Sequence, residues 1–113
     1  MRNKIVDYSL LTPDRFSPTL ILNIRITYTR HIEKKLKEFK KSGIIIPKTR
    51  IKEVVTHPIH IDTTSDYPKI IASGRFDKKH ILRVVYKRED DIIIIITCYL
   101  AKKGRYFIYE NEN

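Results

Sequence analysis

Cysteine, tryptophan and glycine are scarce or missing in this chain, and so is any long apolar run. Of 113 residues one is cysteine, none is tryptophan and three are glycine. The lone Cys98 excludes an internal disulfide and fits a reducing compartment. It lies in an apolar stretch and reads as a small buried hydrophobe. Three glycines supply no glycine-rich phosphate loop. The longest unbroken apolar run, about five residues, falls far short of the roughly 20 needed to span a bilayer. Leu10–Leu11 is no secretory apolar core, and the stretch 19–28 is broken by Asn23 and Arg25. The expectation is a cytoplasmic protein that does not enter a membrane.

Negative charge is scarce as well. Lys and Arg number 23 against 13 Asp and Glu, a net charge of +10. A small domain this basic is built to meet phosphate or an acidic protein. Paired carboxylates for a magnesium nuclease are missing, since Asp90-Asp91 belongs to a turn. His57-x-x-His60 has a ligand-like spacing, but Pro58 intervenes and no cysteine or carboxylate cluster joins the pair. These two therefore read as exposed histidines at a helix end. No metal and no organic cofactor is implied.

What is present suits one domain with one core. Residues 1–18, bracketed by Pro13 and Pro18, read as an N-terminal arm, and 19–113 as a single domain. Residues 20–28 alternate as a strand, with Leu22, Ile24, Ile26 and Tyr28 on one face. Thr29 caps a helix reaching Lys41, whose apolar stripe is Ile32, Leu36 and Phe39. Ser42-Gly43 ends it. A second helix, Lys48 to His57, turns Ile51, Val54 and Val55 inward and stops at Pro58. Extended pieces follow at 59–62 and 68–76. Then comes a hairpin, with arms Ile81–Lys87 and Ile92–Ile96 and a turn at Lys87–Asp91. The second arm has no polar side, as in a strand covered on both faces. Thr97, Tyr99, Lys102, Lys103, Arg105 and Tyr106 are delivered at its exit. The segment 106–109 fits an edge strand or a short helix. The expected fold is α+β: two helices on one face of a mostly antiparallel, four- to five-stranded sheet, the other face left for a ligand.

Cations and hydroxyls without a metal suffice to cleave RNA. The 2′-hydroxyl must lose a proton, the leaving 5′-oxygen must gain one, and the crowded phosphate needs fixed positive charge. DNA lacks that internal nucleophile. His31 sits in the first turn after the Thr29 cap, where the helix dipole favours a neutral imidazole able to act as base. Arg83 alternates out of phase with Leu82 and Val84; by itself it reads as a solvated strand cation. Tyr106 and the Lys102–Arg105 cations follow the strand exit.

Several short stretches resemble a known family. Gly74-Arg75, Leu82-Arg83-Val84-Val85-Tyr86, Asp91, Ile94–Thr97 and Lys102-Lys103-Gly104-Arg105-Tyr106 resemble the C-terminal half of BrnT-like toxins. Those belong with RelE and ParE among toxins of barnase-like ribonuclease fold. His31 with Lys35 four residues on, and Ile51, Val54 and Val55 before Pro58, resemble uncharacterised sister domains of that group. The similarity covers about residues 24–107; the Trp-Asp opening and the Asn-x-x-Lys-His-Gly pattern of BrnT are absent. The resemblance implies a RelE-like fold, ribonuclease activity and neutralisation by a cognate antitoxin. The reading is a metal-independent endoribonuclease toxin, with His31, Arg83 and Tyr106 catalytic. Lys35, Thr97, Lys102, Lys103 and Arg105 would bind RNA, and a homodimer is compatible with this. The alternative is a non-catalytic basic module for RNA, ribosome or an acidic protein.

Overall fold

The computed structural model describes residues 24–103. The expected arm at 1–18, the start of the expected leading strand, Arg105, Tyr106 and the segment 106–109 lie outside them. The described elements are β1 (Arg25–Tyr28), α1 (Arg30–Lys41), α2 (Lys48–Thr56), β2 (His60–Asp62), β3 (Ile70–Arg75), β4 (His80–Glu89) and β5 (Ile92–Lys102). No described helix is long and apolar enough to cross a membrane.

Thr29 starts α1 as its residue type predicts. Its Oγ1 accepts a hydrogen bond from the Ile32 N–H at 3.2 Å, which satisfies one of the orphan donors of the first turn. The same hydroxyl donates to the Ile96 carbonyl at 3.0 Å, and the Thr29 N–H reaches the Ile95 carbonyl at 3.1 Å. At the other end Gly43 takes φ +87°. The Ile44 N–H then returns to the Phe39 carbonyl and the Gly43 N–H to Lys40, a Schellman closure. α2 has no side-chain cap, and it is held by what it buries: Ile51, Val54 and Val55. Val54 rests on β3 at Gly74, where an added Cβ would stand 2.9 Å from its Cγ2.

The sheet has five strands in the order β1-β5-β4-β3-β2. Three pairings are antiparallel, but β1 runs parallel to β5, with Arg25 opposite Ile92 and Tyr28 opposite Ile95. The sheet is therefore mixed. A parallel pair needs a long crossover, and everything from α1 to β4 lies between these two strands. Both described helices cover one face. Ile32, Ile51, Val54, Leu82, Val84, Ile93, Ile95 and Cys98 form the core there, with Cys98 buried as expected.

The hairpin differs from its sequence reading in three ways. Its arms are longer and its turn is only Asp90-Asp91, with Asp90 at φ +57°, a left-handed conformation that Asp tolerates. Thr97–Lys102 continues β5 and is not an exit tail. The strand buried on both sides is the central β4, from Ile81 to Tyr86, while in β5 only Ile93 and Ile95 of the isoleucine run are buried. Between Val85 and Tyr86 the register shifts: Val85 faces Thr97 and Tyr86 faces Ile95, which leaves Ile96 as a bulge.

Candidate nucleic-acid interface

Register decides which polar side chains meet. His60 lies opposite Ser73, Ser73 opposite Arg83, and Arg83 opposite Tyr99. Directly opposed residues project to the same side of a sheet. Leu82 and Val84 face the helices, so this row occupies the other face. Four strands thus contribute a histidine, a serine, an arginine and a tyrosine to one line. At the usual strand spacing it spans roughly 14 Å.

The centre of that face is not solvated. Ile71, Ile81 and Val85 are buried, and Arg83 is only 8% exposed, which excludes the solvated strand cation that its position alone suggests. Its Nε donates to the Tyr99 Oη at 3.0 Å, and its guanidinium carbon lies 5.7 Å from the centroid of the same ring. Neither Arg83 nor His60 stands without a partner. Two hydroxyls differ in this respect: Ser73 Oγ and Thr97 Oγ1 are buried without a hydrogen-bond partner. Buried polar atoms are nearly always paired, so two unpaired ones near Arg83 call for an explanation. Thr97, opposite Val85, belongs to the same face one row along.

The sequence-derived candidates separate into three groups. Arg83 and Thr97 share the second face of the sheet. His31 is exposed in the first turn of α1, on the helix-covered side, and the sheet lies between it and Arg83. Lys35, also on α1, is half-buried with its Nζ 6.0 Å from the Phe39 ring centroid. Lys102 and Lys103 stand at the end of β5, where the Lys103 N–H bonds the Lys79 carbonyl at 2.8 Å. Arg105 and Tyr106 lie outside the described residues. Sequence reasoning missed Ser73, gave His60 no role and placed Tyr99 on an exit tail. Ser73 and Tyr99 occupy the same alternation phase as Arg83, but only strand register aligns them.

Comparison with protein-family models, with curated proteins and with solved structures gives no match.

Proposed function

We propose that the second sheet face is an RNA-contacting surface and that the chain is a metal-independent endoribonuclease toxin, held in check by an acidic antitoxin. The observation that carries this reading is the His60–Ser73–Arg83–Tyr99 row. It unites the three side-chain types that metal-free phosphodiester cleavage needs. In this reading the Arg83 guanidinium binds the phosphate, where a low-dielectric setting strengthens a charge-assisted contact. Tyr99 orients Arg83 through the bond to its Nε. His60 exchanges the proton of the 2′-hydroxyl or of the leaving oxygen. The net charge of +10 and the resemblance to RelE-group toxins support the choice of RNA as substrate.

The test is cleavage of a mixed RNA pool in the presence of EDTA, run beside a binding isotherm. His60→Ala should keep most of the affinity and lower cleavage by roughly 10²–10⁴-fold, the usual loss for a general acid or base. His31→Ala, on the far side of the sheet, should leave cleavage unchanged. Reversed sensitivities would move the chemistry to the helix side. Absence of cleavage by the wild type would leave a binding module. That second reading is favoured by one feature of its own: Arg30, Lys34, Lys37, Lys40 and Lys41 are all exposed on α1, away from the row.

A further inference from the structure

At the end of the sheet where β3 turns into β4, a cleft of about 580 Å³ opens between α2 and the strand ends. Its floor is Val54, Gly74 and Phe76. Arg50 shapes one wall: its Nη1 donates to the carbonyls of Arg75 at 3.1 Å and Phe76 at 3.0 Å. β2 pairs with β3 only up to Ser73, so these carbonyls lie beyond its reach. Arg50 thus ties α2 to the end of β3.

The charges lining the cleft are unevenly partnered. Glu53 pairs with the Arg50 Nε at 3.4 Å. Asp77 accepts from the Lys79 and His80 N–H groups at 2.8 and 2.7 Å and contacts the His80 ring, which holds its carboxyl below the usual range. Both acids are already engaged. Lys78 and Lys103 also line the cleft, and among the described residues their side chains make no ion pair or hydrogen bond. Arg75 contributes its carbonyl, while its side chain, opposite Ile81, belongs to the second face. With Glu53 and Asp77 engaged elsewhere, Lys78 and Lys103 are left to draw an anion into the cleft. Beside them Ile59 is 51% exposed, an apolar surface next to an anion site.

We propose that this cleft binds one nucleoside monophosphate unit, with its phosphate between Lys78 and Lys103 and its base against Ile59. The volume suits a ligand of that size and far exceeds what a bare phosphate fills. The cleft lies at the strand ends beside α2, apart from the Arg83 row, so it stands whether or not that row cleaves RNA.

The experiment is an amide-resolved NMR titration of the full chain at low salt, with uridine monophosphate and with inorganic phosphate. Uridine monophosphate should shift the amides of Val54, Gly74, Phe76 and Lys103 and bind more tightly than phosphate. Lys78→Glu with Lys103→Glu should weaken it by about tenfold or more. The control pair Lys69→Glu with Arg88→Glu carries the same charge change at the other end of the hairpin and should weaken it by less than about twofold. Shifts confined to Tyr99 and its neighbours, equal affinity for phosphate alone, or equal losses in both double variants would overturn the proposal. So would displacement of the nucleotide by an acidic leucine-containing peptide of higher affinity. A phosphate-terminated RNA oligonucleotide binding with the same shifts and higher affinity would identify an RNA end, and not a free nucleotide, as the source of the unit.

Discussion

The two faces of the sheet are both buried at their centres, yet they are buried differently. Under the helices Leu82, Val84, Ile95 and Cys98 meet Ile32, Ile51 and Val54, and the contact is largely aliphatic. On the second face Ile71, Ile81 and Val85 are interleaved with Ser73, Arg83, Thr97 and Tyr99. Among the described residues, the two side-chain polar atoms buried without a partner, Ser73 Oγ and Thr97 Oγ1, both belong to this second face. Burial alone therefore does not separate a structural surface from a functional one. The second face differs in having hydrogen-bonding capacity to spare.

Neighbouring residues on opposite faces allow this contrast to be tested, beginning with the largest effect. Ile95 is fully buried under the helices and Ile94 is partly exposed on the other side. Ile95→Asp should cost several kcal/mol and unfold the chain, whereas Ile94→Asp should leave a folded protein with a lowered melting temperature. Equal losses in thermal unfolding would mean that the two faces are equivalent.

The next pair is Gly74 and Ser73. Gly74→Ala should lower stability by about 1–3 kcal/mol, since the new methyl meets Val54, and Val54→Ala should restore part of the loss. Ser73→Ala removes an unpaired hydroxyl and should be neutral or stabilising by up to about 1 kcal/mol. Urea titrations of the three variants check the stabilities. A clearly destabilised Ser73→Ala would mean that the hydroxyl makes a stabilising bond.

The smallest effect concerns alkaline pH. Burial pushes the Cys98 thiol from 9.0 up to about 11, against the opposing charge of Lys35. Burial likewise raises the Tyr86 phenol from 10.0 to about 12, against Arg88. From pH 9.0 upward the unfolded chain sheds a thiol proton that the folded chain keeps, so stability falls until about pH 11. Cys98→Ala should flatten that decline between pH 9 and 10, leaving the loss attributable to Tyr86 above it. Urea midpoints across this range give the answer, and an unchanged slope would place the thiol in water.

Much of the fold was legible because its signals are local. The Thr29 cap, the Ile32–Leu36–Phe39 stripe and the Ser42-Gly43 stop needed no tertiary knowledge, and α1 begins and ends where they place it. The alternation of β4 likewise gave the side to which Arg83 projects. Strand order was not legible: the parallel pairing of β1 with β5 joins residues more than sixty positions apart. The polar row was hidden for the same reason, because His60, Ser73, Arg83 and Tyr99 come from four strands and meet only through register. His60 looked like half of a histidine pair, although His57 ends α2 and lines the cleft while His60 joins the row.

Ile92–Ile96 poses an alignment problem that its own side chains cannot solve. Sliding five identical residues by one position against β4 replaces isoleucine with isoleucine nearly everywhere, so competing alignments are almost degenerate in packing energy. Yet such a slip would carry Thr97, Cys98 and Tyr99 to the wrong sides. Thr29 cannot break the degeneracy, because it bonds the main-chain carbonyls of Ile95 and Ile96, and every isoleucine of the run offers the same carbonyl. The residues that follow the run do break it: Cys98 belongs in the core under the helices, and the Tyr99 Oη meets the Arg83 Nε on the other face. The alignment of a featureless run is therefore written in the three residues beyond its end.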